Sequence, residues 1–430
     1  MKRTLTFASM ICASFFANAE QAAPKNIIYM IGDGMGPAYT SAYRYYVDDK
    51  STKVVEPTVF DSILVGMAHT YPDDDTIVTD SAAGATALST ATKSYNGAIA
   101  VDTQKHDLKT MLEIAKERKM TTALVATSQI NHATPASFAA HNESRRNNDD
   151  IANDFFDNKI NGALPVDLML GGGTQYFIRE DRNLVNEFIA QGYQYSDNLS
   201  QLEQLQQIPA LGLYAAKGLP FALDGESKRL TKMTDKALSL LAANENPFFV
   251  MIEGSQIDWC GHANDIACAM AEMDDFAHAI DKAKAYVDAH PDTLLVITAD
   301  HSTGGLTIGA NGQYLWHADV VKGVTATAGV IAERLLASDD MATVWQQTTA
   351  LEFTEARKVL LTQAKNVGED ALVMTVKKLI NEASFTGWTT SGHTAIDVPV
   401  FAYGNGAEQF IGSQNNTDIA QKLINFINNK

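Results

Sequence analysis

A chain of 430 residues that is 46% hydrophobic and carries no low-complexity tract is long enough for a large core or for two domains. Its 51 acidic against 33 basic residues argue against sequence-independent nucleic-acid binding. An anionic substrate would therefore need local positive charge, from metal ions or from a placed arginine.

The first residues read as a targeting segment. Lys2-Arg3 form a charged start, residues 5–17 are mostly apolar, and Ala17-Asn18-Ala19 is an A-x-A cleavage site. A signal peptide over residues 1–19 is expected, leaving an exported chain, periplasmic or secreted. The apolar run is too short to span a membrane, and no later stretch is long and apolar enough. Cys12 falls in this segment. Cys260 and Cys268 remain, and two free thiols are expected rather than a disulfide. Without a C-x-x-C pattern they are not a thiolate zinc site.

Residues 20–25 read as a short linker to a catalytic domain over 26–430. Residues 26–31 (NIIYMI) form a continuous apolar run, a strand buried on both faces. It ends in Gly32-Asp33-Gly34-Met35-Gly36. The third glycine comes too soon for a dinucleotide loop. Asp33 would stand at the C-terminal end of a buried strand, where open α/β sheets bind ligands. A second β-type run covers 65–71, and Pro72-Asp73-Asp74-Asp75 turns the chain. Thr79-Asp80-Ser81-Ala82-Ala83-Gly84 then opens an Ala-rich helix at or near Ser81. A hydroxyl there faces unpaired N–H groups and the positive end of the helix dipole, a place suited to an anionic ester. Ser81 could equally be only an N-cap.

The strand–helix rhythm continues. A helix is expected over 107–118, a strand over 121–127, and a helix over 136–145 opened by Pro135. Residues 147–154 read as a polar surface segment. A strand over 166–170 closes in Gly171-Gly172-Gly173, and helices follow over 183–191 and 228–244. Residues 247–252 form a strand ending in Glu253. Asp265 to Asp288 reads as a long helix, and 293–299 as a strand ending in Asp300-His301. Residues 309–388 contain several helix-like runs and read as an insertion that could form a lid. The expected fold is α/β: a three-layer sandwich with a large, mostly parallel central sheet and helices on both faces.

Three buried strands thus end in Asp33, Glu253 and Asp300. Carboxylates gathered at one sheet end repel unless something positive lies between them. Asp258 and His262 are spaced i, i+4, so a helical turn puts both on one face. Asp300 and His301 are adjacent and can share a ligand only where strand gives way to loop. Asp, Glu and His without a thiolate suit Zn²⁺ or Mn²⁺, with Mg²⁺ at any oxygen-only position.

These residues carry a resemblance. The sequence resembles the bacterial alkaline phosphatases in Ile31-Gly32-Asp33-Gly34-Met35-Gly36, Asp80-Ser81-Ala82-Ala83, Lys93-Ser94-Tyr95-Asn96-Gly97 and Ala133-Thr134-Pro135-Ala136 through His141 and Ser144-Arg145. It continues in Glu253-Gly254-Ser255-Gln256-Ile257-Asp258 with His262, Thr298-Ala299-Asp300-His301 and Ser391-Gly392-His393-Thr394. The resemblance implies hydrolysis of phosphate monoesters through a phosphoserine at Ser81. Arg145, steadied by Asp80, would grip the phosphate. Two Zn²⁺ and one Mg²⁺ per subunit are implied. Asp258, His262 and His393 would hold one zinc. Asp33, Asp300, His301 and Ser81 would hold the other. Asp33, Thr134 and Glu253 would hold the magnesium. His393 and Thr134 enter only through the resemblance, as does a homodimer.

His132, near the magnesium, and Trp259, beside the phosphate, resemble the marine and cold-environment branch. The neutral indole implies weaker phosphate retention than a lysine would give. His141 reads as structural. A phosphodiesterase or other metallo-hydrolase of the same superfamily is the alternative. A sulfatase is not, because residues 81–85 lack the x-Pro-x-Arg that its modified nucleophile requires. A non-catalytic exported protein that sequesters phosphate or zinc is disfavoured, because nucleophile, arginine and metal ligands are all present together.

Overall fold

The computed structural model describes residues 23–429. The predicted signal peptide lies outside the described residues. None of the described helices is long and apolar enough to cross a membrane.

Ten strands make the central sheet: β1 (Asn26–Gly32), β2 (Leu64–His69), β3 (Thr121–Gln129), β4 (Leu168–Gly172), β5 (Gln194–Ser196), β6 (Ala210–Leu213), β7 (Phe248–Gly254), β8 (Thr293–Thr298), β9 (Val398–Gly404) and β10 (Gly412–Asn415). Their spatial order is β10-β2-β9-β8-β1-β7-β3-β4-β6-β5. Every neighbouring pair is parallel except the two made by β9. The central strands β8, β1, β7 and β3 are buried on both faces, which is why the middle of each is an unbroken apolar run. Ile31 lies opposite Glu253 on one side and Thr298 on the other. This register brings Asp33, Glu253 and Asp300 to the same edge of the sheet.

Several expected boundaries move. The helix expected over 107–118 is Met111–Glu117, because Thr110 and Glu113 form a capping box there. The helix expected over 136–145 is Ala133–Ala139, with Pro135 in its first turn, where a missing N–H costs nothing. Arg145 is therefore on a loop, its N–H bonded to Gly97 O at 2.8 Å. The polar stretch 147–154 belongs to a helix, Asn148–Asp157, whose Ile151, Ala152 and Phe155 are buried. Its apolar face is too narrow to stand out in the sequence.

Cys260 and Cys268 are joined as a disulfide, not held as free thiols, with Cα atoms 5.4 Å apart. The helix Gln256–Ala263 stops at Asn264 in the left-handed region (φ 54°), so the chain folds back into the helix Ile266–Ala289. Cys268, in the first turn of that helix, returns beside Cys260.

Within 309–388 stand helices Ala318–Lys322, Ala328–Ala337, Met341–Thr348, Glu355–Val367 and Glu369–Ser384. The short strands Thr307–Ile308 and Thr386–Gly387 pair where the chain leaves and returns.

Candidate active site

The C-terminal end of β7 and the loops leaving β1 and β8 place Glu253, Asp33 and Asp300 in one buried volume, each without exposed surface. Gly34 makes the close approach feasible. It sits at φ 72°, and a Cβ there would come within 2.6 Å of Thr303 Oγ1 and 2.9 Å of Asp258 Cα. Its N–H donates to Asp300 Oδ1 at 3.1 Å, and His301 N–H donates to the same oxygen at 3.0 Å. Asp300 Oδ2 is left facing His301 Nε2 at 3.3 Å. Ser255 and Ser128 hydroxyls donate to Glu253 Oε2 at 2.6 and 3.3 Å. Glu253 Oε1, Asp33 Oδ2 and Thr134 Oγ1 are buried with no hydrogen-bond partner.

Asp258 and His262 project together from the two-turn helix Gln256–Ala263, with His262 Nε2 3.3 Å from Asp258 Oδ2. His393 approaches from the C-terminal side, its Nε2 3.5 Å from Asp258 Oδ1 and 3.1 Å from His262 Nε2. His262 Nδ1 donates to Ser391 O at 2.6 Å, and His393 Nδ1 donates to Thr79 O at 2.9 Å. These carbonyls fix the proton on each Nδ1, so when both rings are neutral two bare Nε2 lone pairs confront one another. His301 repeats the pattern. Thr303 Oγ1 hydrogen-bonds Asp258 and lies 3.2 Å from His301 Nδ1. His301 Nε2 then meets Asp33 Oδ1 at 3.3 Å.

Ser81 is the first residue of the helix Ser81–Thr90, and it is not the cap. Asp80 is the cap, its Oδ1 accepting from Ala83 N at 2.9 Å and from Gly97 N at 3.1 Å. Ser81 Oγ is thereby free to face His301 Nε2 at 3.2 Å and Asp33 Oδ1 at 3.5 Å. Asp80 Oδ2 accepts from Arg145 Nη1 at 3.1 Å, and Arg145 Nη2 lies 3.2 Å from His132 Nε2. The His132 ring meets Trp259 edge to face at 5.9 Å between centroids. The predicted site residues other than Thr134 are thus linked in one cluster, with Asp80, His132 and Trp259 on its Arg145 side.

The electrostatics suit a bound cation. Burial, reinforced by neighbouring carboxylates, pushes Asp33 and Asp300 well above the usual carboxylate range. Burial raises Glu253 to about 7. Burial acts on Asp258 in the same direction, but His262 and His301 outweigh it and hold that carboxyl low. Burial and Arg145 push His132 down to about 3, so it is neutral. Facing lone pairs, orphaned carboxylate oxygens and an orphaned Thr134 hydroxyl are the surroundings of metal ions. Ligand atoms lie within 4.8 Å of one another in three groups: Asp258, His262 and His393; Asp33, Asp258 and His301; and Asp33, His132 and Glu253.

Residues 24–429 match the family described as alkaline phosphatase. The chain belongs to the alkaline phosphatase family. Alkaline phosphatase 3 of Bacillus subtilis (strain 168) is 47% identical over 412 residues, covering 93% of this chain and 88% of that protein. The crystal structure of a cold-active alkaline phosphatase from the psychrophile Shewanella sp. is 48% identical with a TM-score of 0.88, covering 94% of this chain and 99% of that one. The alkaline phosphatase of the Antarctic bacterium TAB5 is 29% identical with a TM-score of 0.70, over 95% and 99% of the two chains.

The cluster includes residues that the sequence did not single out. Thr303 links Asp258 to His301, and Tyr39 OH donates to Thr303 O at 2.8 Å. Ser128 and Ser255 hold Glu253. Ser302-Thr303, directly after Asp300-His301, was the available hint. Nothing in the sequence marks the carbonyls of Thr79 and Ser391.

Proposed function

We propose that this alkaline phosphatase, a phosphomonoester hydrolase, uses Ser81 as its nucleophile. The observation that carries the reading is the Ser81 hydroxyl, released from capping by Asp80 and directed at His301 and Asp33. The P–O bond to the alcohol breaks as a bond from Ser81 Oγ to phosphorus forms. The alcohol leaves with a proton drawn from solvent. Water then attacks the phosphoserine, inorganic phosphate departs, and Ser81 recovers its proton. Arg145 would grip two phosphate oxygens with its planar fork, which Asp80 holds at one nitrogen and neutral His132 at another. The helix N-terminus beneath Ser81 adds positive potential.

The family is metal-dependent, and we propose two Zn²⁺ and one Mg²⁺. Asp258, His262 and His393 would hold one zinc, with Asp33, Asp300, His301 and Ser81 holding the second. Asp33, Thr134 and Glu253, all oxygen donors, suit magnesium. A TAB5 alkaline phosphatase variant with a histidine changed to glutamate was solved with magnesium bound in its M3 site. His132 would serve that site as a hydrogen-bond donor. Its Nε2 takes the hydrogen bond from Arg145, which leaves the ring proton on Nδ1, buried and unpartnered. When bound, the cations would lower the pKa of the hydroxyl and water they touch and offset the phosphoryl charge.

Export to an oxidising compartment is proposed from residues 1–19 and supported by the Cys260–Cys268 disulfide. A homodimer and a crown or lid over 309–388 rest on the resemblance. The decisive experiment is Ser81→Ala, assayed on an aryl monophosphate with metal content measured in parallel. Activity should fall by about 10³-fold or more with metals retained. Full activity would end the mechanism.

A further inference from the structure

Asp258 and His262 share the helix Gln256–Ala263. It has only eight residues, and helices of two turns are marginal without tertiary support. His262 is its penultimate residue, in the turn most prone to fray, and its side chain is 43% exposed. Cys260 lies midway between the two ligands, and two residues along a helix is more than half a turn. It therefore faces away from the site. There it is buried and bonded to Cys268.

The disulfide does not act alone on this elbow. Asp265 N–H donates to Cys260 O at 3.1 Å, and Asn264 N–H donates to Gly261 O at 2.9 Å. Asp265 caps the next helix through Cys268 N at 3.1 Å, while its other oxygen accepts from Ala328 N at 2.8 Å. Asn381 Nδ2 donates to Asn264 O at 2.9 Å. Two helices of the 309–388 segment therefore grip the same elbow that the disulfide closes.

We infer that the Cys260–Cys268 disulfide, with Asp265 and Asn381, is a positioning clasp that keeps His262 on its cation and sets how long that cation is held. The inference rests on the reading of Asp258, His262 and His393 as a zinc site. It gives the disulfide a role in the site, where a purely structural bond would affect only global stability. It also couples residues 328–381 to the site through the elbow.

The test uses the full zinc-loaded enzyme. Zinc release to a chromogenic chelator is followed at a temperature where each variant is fully folded by near-UV circular dichroism. Cys260→Ala/Cys268→Ala should release one zinc equivalent at least tenfold faster than wild type, with the remaining metal leaving at the wild-type rate. Asn381→Ala should accelerate the same equivalent by a smaller factor, and it carries the test if the double variant does not fold. Zinc release at the wild-type rate, or equal acceleration of every metal with a lowered Tm, would overturn the clasp. His262→Ala is the control. If it retains every zinc equivalent, the zinc-site reading itself is wrong; if it loses one while the clasp variants do not, only the clasp is wrong.

Discussion

The cluster has an inner and an outer end, built by different means. Asp33, Glu253, Asp300, His301 and Thr134 are fully buried. Most of them follow adjacent strands directly, so their spacing is set by the sheet register and its ladder of hydrogen bonds. Asp258 and His393 are nearly buried, but His262 is 43% exposed, and these three ride on a two-turn helix and a two-residue strand, His393–Thr394, that pairs with Ser302–Thr303. Their alignment depends on tertiary docking: the disulfide elbow, the Ser391 and Thr79 carbonyls, and Thr303. A rigid inner end fixes geometry but confines charge that must be neutralised. The outer end is open to solvent, where an ion and a phosphoryl group can exchange.

The largest expected effect breaks the inner end. Asp33 belongs to two of the three ligand groups. Asp33→Asn should lower kcat/KM on an aryl monophosphate by on the order of 10³-fold, with no recovery at millimolar zinc or magnesium. His262→Ala, at the outer end, should lose roughly 100-fold at trace metal and recover most of it when zinc is added. Equal recovery in both variants would erase the distinction between the two ends.

That distinction also explains what could be read from the sequence. The inner end was legible because a buried parallel strand writes itself as an unbroken apolar run, and the residue after it marks the ligand edge. Asp33, Glu253 and Asp300 each follow such a run. The i, i+4 spacing of Asp258 and His262 was legible for a similar local reason. His393 was not, since it stands far beyond Asp300-His301 in a strand of only two residues, too short to show a periodicity, and only the family resemblance supplied it. Whether Ser81 is a cap or a nucleophile stays open in the local sequence because either Asp80 or Ser81 is a favoured cap, and the bonds of Asp80 to Ala83, Gly97 and Arg145 give that role to Asp80. The disulfide was missed because a reversal at a single left-handed Asn264 has no strong sequence mark.

A smaller effect separates the site from its scaffold. His141 sits outside the cluster, its Nε2 3.0 Å from Glu113 Oε1 and its Nδ1 2.9 Å from Ala100 O. Burial alone would lower this histidine, but the Glu113 hydrogen bond and charge raise it to about 9. A raised histidine contributes its stabilisation fully below the unfolded value of about 6.5 and loses it as pH climbs through about 9. Wild type should therefore lose roughly 2 kcal/mol more than His141→Gln in denaturant unfolding between pH 6.5 and 9.5, counting the pair once. The pH profile of kcat should be the same in both. An equal loss of stability in the two proteins would remove the pair as a source of alkaline sensitivity.

The smallest effect concerns the rim between the two ends. Trp259 meets His132 edge to face, and its ring covers the Gly218 backbone so closely that a Cβ there would come within 2.5 Å. The indole is thus held in place by packing, and it brings no charge to a phosphate gripped by Arg145. Trp259→Lys should tighten inhibition by inorganic phosphate by up to about tenfold, since an ammonium at the rim adds a Coulombic contact near the protein surface. Trp259→Phe separates packing from charge, because it keeps an apolar ring over Gly218 and should leave phosphate inhibition within about twofold of wild type. If the lysine variant binds phosphate no more tightly than wild type, Trp259 acts only as packing for His132, and charge at this rim does not govern how long product stays.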